Sequence, residues 1–334
     1  MINEITLTGF KSFFRDSLNL EKLTVLTGLN SSGKSSVIQA LRILAKAARK
    51  ETSFLLPGHG TVEEIRNKNT KEDISLTITD KDNNEFSVTL SGSNSKTTET
   101  GNFLFPEITY ISAHRYGPQT SIPIYSDISD RSRIGENGEN VLQCIELYRD
   151  NPLDERLRHE TSEGYTLGFN VRGWLNVISP GTEFNWHLDN MSDSSYSTFD
   201  GHRANNVGFG LSYTLPVITT LLMSTLTPGS LVIIENPEAH LHSKGQTELA
   251  KLIALCAQVG TQIIIETHSD HLFDGIRIAA KELQMADDIQ IHWFELDERR
   301  NTQVFSPVLT NDGRIDKWPQ GFFDQFELNS SQLI

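Results

Sequence analysis

Gly28, Gly33, Lys34 and Ser35 stand in the run GLNSSGKS, which fits the spacing G-x-x-x-x-G-K-[ST]. Apolar Leu23, Val25 and Leu26 precede it, and Val37, Ile38, Leu41, Ile43 and Leu44 follow at helical spacing. A strand, a glycine-bounded loop and a helix in that order wrap a β-phosphate in backbone N–H groups. The lysine then meets the β/γ charge and the hydroxyl meets Mg²⁺. Glycine lets such a loop turn without a Cβ clash. Lys34 is the point charge and Ser35 the metal ligand in this reading. The spacing predicts a nucleoside triphosphate site and leaves open what its energy serves.

Other strand ends carry acids and imidazoles. In SLVIIENPEAHLHSKGQ, from Ser230, an apolar strand ends in Glu235. Ligands of parallel sheets gather at that carboxyl edge, where a carboxylate can hold the Mg²⁺ shell through water. In TQIIIETHSDHLFDG, from Thr261, Ile263–Ile265 lead to Thr267, His268 and Ser269. An imidazole there can donate to a γ-phosphate; the plainer reading of His268 is a buried structural histidine. Asp270 is expected to cap the next helix. In NNVGFGLSYTLP, Gly208 and Gly210 precede a helix whose amides suit an anion, with Pro216 within or just beyond its first turn. His240 and His242, with His268 and His271, lack metal-ligand spacing. Arg115, in AHRYGP, belongs either near the site or a partner, or to a surface loop. Trp318, Phe322 and Phe323 serve either packing or a partner patch.

The elements that must position these residues follow from periodicity. Strands are expected at Ile2–Thr8 and Leu23–Thr27, joined by a turn-rich connection, Gly9–Asn19, with a helix to about Lys50. Ile74–Thr79 and Phe86–Leu90 read as a hairpin around DKDNNE. Ser91–Asn102 reads as a mobile loop, and Glu107–Ala113 as a strand. Ser126–Asn140 and Met191–Asn206 read as loops, with a helix Val141–Tyr148 and mixed material between them. Then come helix Leu211–Leu226, strand Leu231–Ile234, helix Leu241–Gln258, strand Gln262–Glu266, helix His271–Leu283 and strand Ile289–Glu295. Strands alternating with helices predict an α/β fold with a mostly parallel core sheet and an antiparallel N-terminal β portion. There is no internal repeat or heptad run.

The chain of 334 residues is long enough for a large core, and its 37% hydrophobic and 22% charged residues are ordinary for a globular protein. A net charge of −14 argues against a broadly basic nucleic-acid surface, while leaving room for a local basic groove. Cys144 and Cys256, far apart, read as buried thiols of a reducing compartment. The opening MINEITLTGFKSF alternates like a strand rather than a signal segment. No apolar run approaches a bilayer span. A cytoplasmic location is the expectation.

Taken together, GFKSF at Gly9, GLNSSGKS, the glycine stretch, ENPEAHLH and THSDHL resemble the ATP-binding-cassette type of ATPase head found in SMC, RecF-like and OLD-type proteins. PEAHLH and THSDHL resemble the OLD-like branch most specifically. VLTNDGRIDKWPQGFFDQ, from Val308, resembles a C-terminal domain of unknown function carried by short members of that branch. The resemblance implies a P-loop NTPase head over 1–307, with a helical, loop-rich insertion about 117–206 forming a lobe, and a short extension at 308–334.

It further implies ATP and Mg²⁺ clasped between two copies. Asn30, Ser31, Ser32, Gly33, Lys34, Ser35 and Ser36 bind phosphates, and Gly208, Gly210 and Ser212 complete the partner copy's site. Either Gly208 or Ser212 falls where the signature serine stands. A single loop leaves the γ-phosphate half covered, so a second set of donors has a physical purpose. Ser35 and Glu235 hold the metal, and Glu235, Glu238 and His268 form the catalytic set. Relatives carry Asp-Glu where this chain has Glu235-Asn236, and an amide cannot act as a base. Either Glu238 orients the attacking water, or hydrolysis is slow and ATP acts as dimer glue.

Short heads of this branch often occur beside an effector in bacterial anti-phage defence systems, so the resemblance implies an ATPase dimer that regulates or scaffolds a separate effector protein. The stretch after Pro307 is too short for the Toprim nuclease domain of OLD proteins. The alternatives are a RecF-like DNA-repair ATPase and a phosphotransferase.

Overall fold

The computed structural model describes residues 1–92, 94–125, 127, 133–319 and 321–333. The chain forms two compact units. The first holds Met1–Glu107, Asp287–Thr310 and Arg314–Ile334; the second holds Ile108–Ala286 and Asn311–Gly313.

The first unit opens with β1 (Glu4–Phe10), β2 (Phe13–Asn19) and β3 (Leu23–Gly28), then α1 (Lys34–Ala48) and the short α2 (Val62–Ile65). It continues with β4 (Ile74–Thr79), β5 (Glu85–Ser91) and β6 (Asn94–Thr100). Five of these strands make an antiparallel sheet in the order β2-β1-β4-β5-β6. Alternation buries Ile5, Leu7, Leu76, Ile78 and Val88, and α1 packs against β1, β3, β4 and β5 with Val37, Ile38, Leu41 and Leu44. Each such side chain contributes about 1.5–3 kcal/mol by leaving water.

The second unit begins with β7 (Ile108–Ile111) and the two-residue β8 (Ile122–Pro123). Helices α3 (Val141–Tyr148) and α4 (Leu167–Ile178) follow. Strands β9 (Phe184–Asp189), β10 (Ser194–Phe199) and β11 (His202–Arg203) come next, then α5 (Phe209–Ser224), β12 (Leu231–Glu235) and α6 (Ser243–Gln258). β13 (Gln262–Glu266) and α7 (Asp270–Leu283) end the unit's continuous part. β7, β12 and β13 run parallel, each β12 residue from Leu231 to Glu235 standing opposite one from Gln262 to Glu266. The unbroken apolar runs of β12 and β13 are what strands buried on both faces require. Helices α4, α5 and α6 pack on one another, and α6 packs on α7.

The chain then returns to the first unit with β14 (Ile289–Leu296) parallel to β3, β15 (Thr302–Phe305) antiparallel to β14, and α8 (Gln325–Leu333). Parallel strands, an antiparallel β portion and packed helices match the expected α/β class. Among the described residues, no helix is long and apolar enough to cross a membrane.

Several expectations are corrected. The Gly9–Asn19 connection is largely strand β2, entered through left-handed Lys11 (φ 52°) and paired with β1. Arg15 and Asp16 interrupt its apolar pattern. The Ser91–Asn102 loop is mostly β6, whose side chains are all exposed and leave no period to read. Half of Met191–Asn206 is β10 and β11, rich in serine but anchored by buried Phe199. The mixed stretch before it hides α4, where Gly168 and Gly173 mask a helix holding buried Trp174. Ser269, not Asp270, caps α7, its hydroxyl accepting from Leu272 N. Pro216 lies in the middle of α5 rather than near its start. The Ser126–Asn140 loop falls partly outside the described residues, as do Gln320 and Ile334 of the C-terminal extension.

His292 on β14 is buried, with Nε2 2.8 Å from the Asn19 carbonyl and Nδ1 2.8 Å from Ser306 Oγ. A carbonyl only accepts, so Nε2 carries a proton and donates it to Asn19 O. Burial pushes its pKa from the usual 6.5 down to about 4, against the opposing hydrogen bond to Asn19. The unfolded chain takes up a proton that the folded chain refuses, so this stability is complete above pH 6.5 and is lost as pH falls toward 4. Urea unfolding at pH 7 and pH 5 checks this. The native chain should weaken at pH 5, and His292→Gln should remove part of the difference.

Candidate functional site

In the first unit, β3 carries six buried residues to Gly28 and the chain then turns away from Phe294. Gly28 has φ 139°, and a Cβ there would sit 2.2 Å from the Phe294 carbonyl oxygen. Only glycine combines this backbone with so close a neighbour. Asn30 and Ser31 are exposed, Ser31 in the left-handed region at φ 61°. Ser32 is buried, its hydroxyl donating to Leu29 O at 2.7 Å, which leaves that hydroxyl turned into the loop. Gly33 caps α1 at φ 117°, and Ser36 N bonds back to Gly33 O at 2.9 Å. The buried Lys34 ammonium reaches over the loop to Gly28 O at 3.0 Å and Leu29 O at 2.8 Å. A cation held there, at the positive end of α1, defines an anion cradle. The seven residues Asn30–Ser36 are thus together on one loop and helix start.

The loop is braced from β15. Thr302 N donates to Ser12 O at 2.8 Å; its buried hydroxyl donates to Ser32 O at 2.8 Å and pairs with Ser12 Oγ at 2.7 Å. Lys11 also bonds Gln39 of α1. Burial lowers the Lys11 pKa. The GFKSF motif therefore buttresses the loop and its helix. Thr302 escaped the sequence reading because nothing local marks a residue that acts so far along the chain.

In the second unit, β12 and β13 end side by side and bring their polar tips together. Asn236 N bonds Glu266 O at 2.8 Å, and a turn with left-handed Asn236 (φ 44°) and His240 (φ 65°) carries Glu238 inward. The Glu238 carboxyl is nearly buried, at 9% exposure. Its Oε1 accepts from Thr267 Oγ1 at 2.8 Å and His268 N at 3.3 Å, while Oε2 is buried without a hydrogen-bond partner. Burial raises its pKa, against hydrogen bonds from its own backbone N–H, Thr267 and His268 and the charge of Arg115. A fixed carboxylate with one idle oxygen and raised basicity is suited to accept a proton or orient water. Glu235 Oε2 accepts from Ala113 N at 3.3 Å. The His268 ring is exposed, so it is not a buried core histidine. Arg115 is buried beside the acidic turn rather than in a surface loop, and Thr267 joins it as a residue of this cluster.

Gly208 stands exposed as the N-cap of α5, with no side-chain cap bond. Gly210 touches the acidic turn: a Cβ there would lie 2.7 Å from His240 O. Gly208, Gly210, His240, His242 and Lys244 line a cavity of about 330 Å³. Ser212 is not brought to it. Its buried Oγ, without a hydrogen-bond partner, lines a separate small cavity with Tyr116, Gly138 and Pro216.

Residues 1–146 and 151–273 match the family described as an AAA ATPase domain, and residues 285–333 match one described as a protein of unknown function (DUF3696). No curated protein matches. Among solved structures, the chain is similar to an SMC head bound to the C-winged helix domain of ScpA, with 17% identity, TM-score 0.56, and coverage of 92% of this chain and 98% of that one. It is similar to an SMC head domain from Thermotoga maritima at 14% identity and TM-score 0.50, covering 91% and 98%. A Smc head with an extended coiled coil, bound to the C-terminal domain of ScpA and derived from Pyrococcus furiosus, matches at 13% identity and TM-score 0.53, covering 100% and 99%. At these identities the likeness concerns the fold, that of an ATPase head.

Thr302→Val keeps the shape and deletes the hydroxyl, leaving Ser32 O without that donor. A hydrogen bond of this kind is worth about 1 kcal/mol, so ATP affinity should fall roughly fivefold. Fluorescent-nucleotide titration measures this; unchanged affinity would show that the brace does not shape the loop.

Proposed function

The chain belongs to the AAA ATPase domain family, and from that premise we propose that it binds and hydrolyses ATP in a dimer clasped around the nucleotide. Asn30–Ser36 take the phosphates, and the Gly208–Gly210 face of one copy covers the γ-phosphate held by the other, with Ser212 one turn behind. Ser35 and Glu235 offer hydroxyl and carboxylate oxygens, the hard donors that Mg²⁺ takes, with water filling its other positions. When bound, the metal neutralises charge on the phosphate oxygens. Glu238 orients the attacking water, and His268 donates toward the γ-phosphate.

The observation that carries the hydrolytic reading is the Glu238 carboxyl, anchored by Oε1 and idle at Oε2. Asn236 follows Glu235 directly but has an amide, which cannot take a proton from water. Covering the γ-phosphate from a second copy supplies donors that one loop lacks and excludes water from the reacting centre.

The dimer is proposed to switch a separately encoded effector in bacterial anti-phage defence, in the cytoplasm. Two of the similar SMC heads are bound to domains of ScpA, which favours protein docking as the output of this fold. A net charge of −14 weighs against the RecF-like reading of action on DNA.

Lys34→Ala should abolish ATP binding. Glu238→Gln should retain binding, slow turnover by about 100-fold or more, and accumulate the ATP-bound dimer. Steady-state phosphate release and light scattering with ATP·Mg²⁺ measure both. Full turnover in Glu238→Gln would overturn the role of Glu238, and a monomer in every nucleotide state would overturn the clasp.

A further inference from the structure

The sequence left Arg115 between two readings, and the geometry gives it a specific task. Its guanidinium is 2% exposed. Nε donates to Tyr213 O at 3.1 Å, Nη1 to Ser112 O at 3.0 Å and Glu235 O at 2.7 Å, and Nη2 to Asn236 O at 2.7 Å. These carbonyls come from three places: the end of β7, the start of α5, and the turn that leaves β12. Among the described residues no carboxylate bonds the guanidinium. Burial lowers its pKa to about 10, opposed by Glu238 and Glu235, so it stays charged at neutral pH. A buried cation whose hydrogen bonds all go to main-chain carbonyls fixes backbone, because moving any of those carbonyls strands a buried charge.

We propose that Arg115 is a positioning residue which ties the first turns of α5 to the acidic turn, so that contacts made at the Gly208–Gly210 face are transmitted to the Glu238 carboxylate. The proposal rests on the reading of Glu238 as the hydrolytic carboxylate. Both ends of the link are fixed by independent contacts. Asn236 O, one of the clamped carbonyls, also accepts from Ala239 N at 3.1 Å and so defines the turn that carries Glu238. At the other end, the Tyr213 ring lies 5.6 Å from the guanidinium and 4.6 Å from the His240 ring. Exposed Phe209 rests 5.8 Å from His240.

α5 is continuous but lacks one bond of its ladder. Pro216 has no N–H to offer the Ser212 carbonyl, so the turns before it are joined to the rest of the helix by fewer bonds. The segment bearing Gly208 and Gly210 is thus fastened to the acidic turn by Arg115 and loosened from its own helix by Pro216. A second phosphate-contacting face that shifts this segment also pulls Asn236 O, and with it the idle Oε2.

The test is a double-mutant cycle on the full chain. Arg115→Lys keeps the charge but loses the planar fork, and should lower kcat about tenfold with KM for ATP within twofold, since the phosphate loop is untouched. Arg115→Met should lower kcat further. Glu238→Asp, which keeps a carboxylate and measurable turnover, should combine with Arg115→Lys to give a loss well short of the product of the single losses. Multiplying losses, an unchanged kcat in Arg115→Lys, or failure of both Arg115 variants to show a cooperative melt would overturn the proposal and make Arg115 a structural brace. Full turnover in Glu238→Gln would instead strike the reading of Glu238, whatever the Arg115 variants do.

Discussion

The first unit depends on one main-chain approach. Phe294 O occupies the space where a side chain on Gly28 would stand. β14 can therefore run beside β3 to its last residue, and the loop must leave at an angle that only glycine adopts. From that exit follow the reach of Lys34 back to Gly28 O and Leu29 O, the orientation of α1, and the position of Ser32 O beside Thr302. The anion cradle is thus less a property of eight residues than of the strand packed behind them.

The second unit solves a different problem, the burial of charge. Arg115 and Glu238 are both withdrawn from water, and neither is neutralised by a direct ion pair among the described residues. Arg115 is solvated by carbonyls and Glu238 by a hydroxyl and an amide on one oxygen. Such arrangements are costly. They are understandable where rigid backbone and an available carboxylate oxygen are needed more than stability.

How far the sequence anticipates this depends on whether a residue's partner is near in the chain. GLNSSGKS declares its loop because glycine spacing, lysine and the following helix are contiguous. β12 and β13 are legible because strands buried on both faces need uninterrupted isoleucine, valine and leucine. β6 and β10 are held by cross-strand main-chain bonds and small polar side chains, which resemble loop composition. α4 contains glycines where neighbouring side chains approach closely, so its composition hides its helix. Ser269 and Asp270 are equally good caps by type, and only the geometry of the strand end chooses between them. Arg115 could be marked as unusual but not placed, since its partners are carbonyls, which carry no sequence signature. Thr302 had no signal at all.

The brace from Thr302 to Ser32 spans 270 residues of chain. It comes from the stretch matched by the family of unknown function. At a synthesis rate of roughly 5–20 residues per second, the loop leaves the ribosome many seconds before β14 and β15 exist. Until then Gly28 lacks the neighbour that dictates its backbone. Competence to hold a nucleotide is therefore acquired late in translation, and a prematurely terminated polypeptide enters the cell with its cradle unformed.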